Sequence, residues 1–464
     1  MRDFKKKTLF GMLMLGLISL PGCSNLRTPI HAPDVVIPAQ WNTTTAAANP
    51  EQELWWKNFN DPELDALIDK ALNSNNDFSA AIVRVHRAQL QAGLVDTNRT
   101  PFVSAGINSR ITHAFDPAAT YRSSGMGSSL SYELDLWGKL ASQRDAAHWE
   151  VQATAADCRS FAISLLATTA RLYWQTAYLN QLLSLNTADI EYAEKTLSLA
   201  NVRKKSGATS ALYTAEAERN LALQRAYRTQ LQQQRMETRH ALAILFNQPP
   251  QSEVVDPVRL ASAPLPEVAA GIPAEILANR PDMQAAELRL RETIANVDYT
   301  RTSFYPTLSL TGSLGTSSTS LLSLLQNPLG SLGAGIILPF IQWNTMQLAV
   351  RVSKTQNEEA ILNYRQRLYT AFAEVEDSLS ARTQFGAEEK HLQNAIAQSR
   401  RAETIARTRY QNGYTDIQLW LDAQAALRGA ERSLALNKLN QLNNQVNLYK
   451  ALGLSAGSNQ IRCN

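Results

Sequence analysis

The spacing of apolar positions changes period several times along the chain, and the changes recur in the same order. Residues 62–99 are Ala-rich and charged, with no proline after Pro62, and predict a helix. Asp61-Pro62-Glu63 supplies its start, with Asp as N-cap and Pro at the first helical position, and Pro101 ends it. Residues 102–136 turn rich in Ser, Gly and Thr. Stretches such as Val103-Ser104-Ala105-Gly106-Ile107 alternate large with small, the period of a strand. From about Lys139 to Lys205 there is neither Pro nor Gly. Leu183, Ile190 and Leu197 fall seven apart with Ala193 and Ala200 among them, a coiled-coil seam. A helix of that length runs roughly 100 Å. Ser206-Gly207 breaks it, and a second helix is predicted from about Ser210 to Leu245.

The second half repeats this plan. Asn76–Ala81 matches Pro281–Ala286, and Arg84, Pro101, Trp137 and Gly207 match Arg289, Pro306, Trp343 and Gly413. The register slips by one residue between Pro101 and Trp137. A slip is cheap in a loop and costly in a packed helix, so 102–136 should contain a loop. Leu308, Leu310 and Leu314, then Leu332, Ala334, Ile336 and Leu338, predict two more strands. Helices are expected at about Thr345–Gln411 and Gln418–Leu452, broken at Asn412-Gly413. Each half is a helix, two strands and a long helical hairpin, and prolines between Asn247 and Pro273 separate the halves. Four strands cannot close a barrel, and open edges are not tolerated in lipid. If they cross a membrane, several copies must pool them. No run after residue 25 is apolar enough for a membrane helix.

The N-terminus adds an address. Arg2, Lys5, Lys6 and Lys7 precede an apolar run, Leu9–Leu20, too short to span a bilayer. Leu20-Pro21-Gly22-Cys23 resembles a bacterial lipobox, which implies that Cys23 becomes the first mature residue and carries acyl chains. Ser24 then points to the outer membrane. An ordinary signal followed by an unmodified Cys is the other reading. The formal net charge is +4, much of it in this signal, so the mature chain is close to neutral and offers nothing to nucleic acid. Besides Cys23 there are only Cys158 and Cys463. Cys158 falls in a helical pattern and Cys463 is one residue from the end, so no bridge between them is expected. The six histidines are scattered, Glu374 and Glu376 lie on different helix faces, and no Ser-His-Asp set, phosphate loop or metal motif appears. The chain reads as neither an enzyme nor a protein with a cofactor or metal.

Five motifs in order carry a resemblance: Leu134-Asp135-Leu136-Trp137-Gly138, Asn279-Arg280-Pro281-Asp282, Phe304-Tyr305-Pro306, Gly413 through Leu421-Asp422-Ala423-Gln424, and Asn447-Leu448-Tyr449-Lys450-Ala451-Leu452-Gly453. With the duplicated plan they resemble the outer membrane factors, the TolC-like channels of tripartite efflux systems. The resemblance implies a mainly α fold with a small membrane β part: a homotrimeric α-barrel joined to a shared twelve-stranded β-barrel. It implies a signal peptide at 1–22, an anchor and equatorial segment at 23–60, a first repeat at 61–246, an equatorial linker at 247–273, a second repeat at 274–452 and a tail at 453–464. The implied partners are a periplasmic adaptor, an inner-membrane pump and outer membrane lipid.

In the family the hairpin tips close the tunnel, and acidic side chains ring the constriction. By motif position Asp422 is the first candidate and Asp416 the second. Asp416 also fits an N-cap of the returning helix. Tyr410 is in the family's position for a latch to a neighbouring helix, or packs in the seam. Gln418 and Ala425 stand where an apolar gate residue and a basic residue occur in relatives, so the constriction rests on the acid alone. Arg203, Gly207 and Thr209, with Arg409, Gly413 and Thr415, mark the two tips. Their cations either complement helix C-termini or dock an adaptor. The competing class is a lipid-anchored coiled-coil adaptor or spacer, which would not need the strand pairs.

Overall fold

The computed structural model describes residues 27–29, 33–42, 54–208, 210–261, 264–268, 270–274, 279–319, 325, 327–454 and 463. The signal segment, Cys23 and Thr209 lie outside these residues. The first half contains α1 (Pro62–Ser74), α2 (Asn76–Thr97), β1 (Phe102–Phe115), β2 (Ala118–Leu134), α3 (Lys139–Lys205) and α4 (Ala211–Leu245). The second contains α5 (Pro281–Thr302), β3 (Thr307–Thr316), β4 (Pro328–Ile337), α6 (Trp343–Gln411) and α7 (Ile417–Ala451). The chain forms two compact units. One holds Arg84–Thr154 and Ala285–Gln366 with the segment up to Val35; the other holds Val36–Val83, Ala155–Gln284 and Arg367–Asn464.

The first unit is built on one antiparallel sheet of order β1-β2-β3-β4. Its register stacks Val103, Leu130, Gly312 and Leu332 in one row and Ser104, Ser129, Ser313 and Ser331 in the next. Period-two alternation therefore gives the sheet an apolar and a hydroxyl face. On the apolar face Ile107, Ile111, Leu314, Leu332 and Ile336 are all exposed, Leu332 to 95%. On the other, Ser104 and Ser313 meet Ser129 and Ser331 at 2.7 Å between hydroxyl oxygens. Among the described residues β1 and β4 are both free edges.

The slip in the repeat is taken up differently from the expectation. Only Asp116-Pro117 separates β1 from β2, strands of 14 and 17 residues. β3 and β4 have 10 residues each, and the longer connection, 317–327, lies in the second half. Beside the strands, Trp137 donates its indole N–H to the Pro306 carbonyl at 2.7 Å and meets the Tyr305 ring edge-on. Two recognised motifs thus meet at the base of the sheet.

Also in this unit, Glu292 on α5 lies beside Glu150 on α3. Burial and then the Glu150 charge push its carboxyl up to about 7. Arg289 pairs with Glu150 at 3.3 Å, and Asn296 donates to Glu292 at 3.4 Å. Between its ordinary value of 4.5 and about pH 7 the folded chain keeps a proton that the unfolded chain has lost. Stability contributed here therefore falls as pH rises through that window. Glu292→Gln should raise the unfolding temperature at pH 8 and leave it nearly unchanged at pH 4. Thermal unfolding at the two pH values checks the sign.

The second unit is a helical core. Asp61 caps α1 through its Oδ1, at 3.1 and 3.2 Å from the Glu63 and Leu64 amides, and its Oδ2 accepts from the Tyr173 hydroxyl at 2.8 Å. The single helix expected over 62–99 is broken at Asn75, whose backbone is extended. Its side chain supplies the reason: Oδ1 caps the Phe78 amide at 2.8 Å, and Nδ2 donates to the Leu245 carbonyl at 2.8 Å. One asparagine starts α2 and holds the end of α4, a local gain that outweighs an unbroken ladder. Trp55, Trp174, Phe59 and Tyr449 form an aromatic cluster, with Trp55 stacked on Tyr449 at 5.1 Å.

A disulfide joins Cys158 and Cys463 across 305 residues, correcting the expectation from sequence. The helix carrying Cys158 presents it inward, 2% exposed, and Cys463 is 1% exposed. Two further motifs also meet in this unit. α7 ends in a Schellman turn, with Gly453 at φ +72° and the Leu454 amide donating to the Tyr449 carbonyl at 3.0 Å. Gly453 lies against Asn279 and Arg280. Arg280 donates to both Asp282 oxygens at 3.0 and 2.7 Å, to Glu374 at 2.6 Å and to the Ala451 carbonyl at 3.1 Å. Burial would raise the Asp282 pKa, but the Arg280 bonds and charge overrule it and hold it below the usual range.

Candidate functional site

The two helical hairpins turn on matching glycines. Gly207 has φ +71° and Gly413 φ +79°. The amide after each donates back to the carbonyl of Arg203 or Arg409, at 2.8 and 2.9 Å. A Cβ at either glycine would meet nothing within 4 Å. The left-handed backbone alone therefore calls for glycine here, and the tips expose no packing need beyond it.

Arg203 ties one tip to the other. Its guanidinium lies 4.3 Å from the Tyr410 ring centroid and donates to the Gln411 carbonyl at 2.8 Å. It thus satisfies the end of α6 rather than that of its own helix. Tyr410 is buried, 1% exposed, and packs on Trp420 with ring centroids 5.4 Å apart. Burial pushes its phenol pKa up, with Arg203 opposing. Within the chain Tyr410 is thus a seam residue.

The carboxylates stand apart from this cluster. Asp416 occupies the N-cap of α7 with extended backbone, but its side chain makes no capping bond and is exposed. Asp422 is also exposed and accepts from Gln418 Nε2 at 2.7 Å. The polar residue one turn earlier thus orients the acid. Thr415 Oγ1 is buried without a partner among the described residues, and Arg409 is exposed. Thr209 is not among the described residues.

Sequence reading missed what holds the tips together. Glu403 of α6, 7% exposed, accepts from the Tyr192 hydroxyl of α3 and, at 2.9 Å, from the Trp420 indole of α7. Burial and then the Glu403 carboxylate push Tyr192 up to about 12. Buried Arg428 of α7 and Gln224 of α4, with half-buried Asp189 of α3 and Arg432 of α7, form a second polar group, with Arg432 stacked 4.1 Å over Tyr227. No local pattern marks these groups: the Tyr192–Glu403, Asp189–Arg432 and Gln224–Arg432 pairs are 211, 243 and 208 residues apart and become neighbours only when the hairpins pack. Tyr192→Phe leaves the buried Glu403 with one donor. It should cost about 1–3 kcal/mol, read as a lowered unfolding midpoint and faster proteolysis at the tips.

A duplicated helix–hairpin–helical hairpin with an exposed apolar sheet face is an architecture suited to a channel-forming outer membrane protein. The family model for outer membrane efflux proteins matches residues 67–248 and again 272–454, and the chain belongs to that family. It is 32% identical to the pyoverdine export outer membrane protein OpmQ of Pseudomonas putida, over 94% of this chain and 95% of that one. It is 28% identical to the toxin and drug export protein A of Aggregatibacter actinomycetemcomitans, over 94% and 95%. Among solved structures, the outer-membrane channel OprN superposes with a TM-score of 0.85 at 25% identity, covering 92% of this chain and 99% of that one. The open state of the Neisseria gonorrhoeae MtrE channel gives 0.82 at 27%, covering 93% and 98%. The chain is an outer membrane efflux channel protein of tripartite systems.

Proposed function

We infer that three copies pool their sheets into a twelve-stranded barrel across the outer membrane and their hairpins into a periplasmic tunnel. The observation that carries this is the sheet of the first unit. It has two free edges, an exposed apolar face suited to lipid, and a hydroxyl face suited to water. One chain cannot satisfy those edges in lipid, whereas a closed ring does. A coiled-coil spacer gives such a sheet no role. Acyl chains on Cys23 would hold each protomer at the inner leaflet while the barrel assembles; two chains suffice for stable anchoring. The tips, with Arg203, Arg409 and Thr415 beside Gly207 and Gly413, meet a periplasmic adaptor, and an inner-membrane pump supplies the cargo. The relatives' names range over pyoverdine, antibiotics and toluene, which supports a shared conduit whose cargo the pump selects.

Asp422 closes the resting tunnel as a carboxylate ring, held in place by Gln418. Electron microscopy and solution mass of the detergent-purified protein test the assembly: a three-fold tube is expected, and a monomer or dimer without a barrel would overturn it. In planar bilayers Asp422→Ala should raise single-channel conductance severalfold and weaken cation preference. Unchanged conductance and selectivity would remove Asp422 from the constriction.

A further inference from the structure

At the foot of the sheet the first unit carries a cavity of about 680 Å³ that neither strand pairing nor the tips explain. Arg99 lines it three residues before β1, and Arg144 and Asp145 line it just inside α3. Arg144 is five residues into that helix, or about 8 Å along it. Arg27 completes the wall and pairs with Asp145 at 2.8 Å, which Arg144 also contacts at 2.6 Å. Asp96 faces His148 at 3.4 Å. Trp149 lies among them, with the Arg291 guanidinium 5.3 Å over its ring.

The charges are mixed and unevenly used. Asp145 is shared by two guanidiniums, so one positive charge is left over. Arg99 makes no side-chain hydrogen bond or ion pair with any described residue. Asp96 has only an exposed histidine as its ion-pair partner among the described residues. A guanidinium in want of an anion and a carboxylate in want of a cation therefore share one cavity. Their backbone segments are three residues apart. A phosphodiester bearing a primary ammonium carries that same pair of charges, and Arg is suited to the phosphate.

The position agrees. Arg99 and Thr100 line the cavity just before β1 begins; the Trp137–Tyr305 pair lies just beyond β2 and just before β3, and aromatic rings concentrate at membrane–water boundaries. Arg27 is four residues from Cys23, at most about 14 Å of chain. We propose that this cavity binds the headgroup of a zwitterionic, ethanolamine-type phospholipid of the inner leaflet, with Arg99 and Arg144 on the phosphate and Asp96 on the ammonium. Its placement at the membrane rests on the channel reading above.

The test is native mass spectrometry of the full-length protein, stripped of lipid by detergent exchange and titrated with phosphatidylethanolamine, phosphatidylglycerol or inorganic phosphate. Phosphatidylethanolamine should bind the wild type at least fivefold tighter than Arg99→Gln. Asp96→Asn should lose the preference for phosphatidylethanolamine over phosphatidylglycerol while still binding both. Equal uptake by wild type and Arg99→Gln would overturn the site. Displacement of lipid by inorganic phosphate at equal concentration would assign it to the free anion and overturn the lipid reading. A conducting trimer whose uptake ignores Arg99 removes this proposal alone. Uptake that depends on Arg99 in a protein that never conducts removes the channel reading and keeps the binding site.

Discussion

Gly453→Ala is expected to cost the fold more than about 3 kcal/mol, in the range reserved for backbone collisions in a packed site. A Cβ there would lie 2.6 Å from the Asn279 carbonyl oxygen, 2.7 Å from its carbon and 2.9 Å from Arg280 Cα. These are backbone atoms that cannot rotate away. Arg280 is fixed in turn by Asp282, Glu374 and Ala451. The strained φ of +72° adds to the collision. Gly207→Ala provides the internal comparison: the same left-handed backbone with open space around it should cost only about 1–2 kcal/mol. Unfolding midpoints and the yield of folded protein check both. Equal losses at the two glycines would mean that the contact with Asn279 is not tight in solution.

Removing the Cys158–Cys463 bridge should have the other large effect. Cys158→Ala with Cys463→Ala avoids stranding a thiol and should lose about 2–5 kcal/mol. The bridge closes a loop of 305 residues, so it restrains nearly two thirds of the chain in the unfolded state. Both sulfurs are buried, so reduction should require prior opening. The expected signature is a wild-type midpoint that drops when reductant is added before unfolding, and a double variant that ignores reductant. Wild type and variant melting together would show that the bridge contributes nothing. An exported protein meets the oxidising compartment in which such a bond persists.

The long helices, the strand periods and the duplication were legible because each is a local pattern. The break at Asn75 was not, because its cause is the Leu245 carbonyl at the far end of α4. The disulfide was missed for the same reason: a lone Cys in a helix and another near the terminus carry no spacing signal. At the tips Gly207 and Gly413 announced the turns, and Asp61-Pro62 announced a cap that is present. The Tyr192–Glu403–Trp420 cluster left no trace in sequence, since three helices contribute one residue each. Even the recognised motifs gain meaning only in space. The run ending in Gly453 and the run beginning at Asn279 are two sides of one contact.

The unequal strands have a consequence for the outside of the cell. β2 pairs with β3 only from Gly127 onward, apart from an isolated bridge at Ser124, while its pairing with β1 continues to Ala118. The β1–β2 hairpin therefore outgrows its neighbour by several rows. In the ring proposed above, three β1–β2 ribbons would rise beyond the last paired row of β3. Asp116-Pro117 forms the crest of that ribbon. In that ring it is a natural place to graft a tag for an antibody to reach from outside.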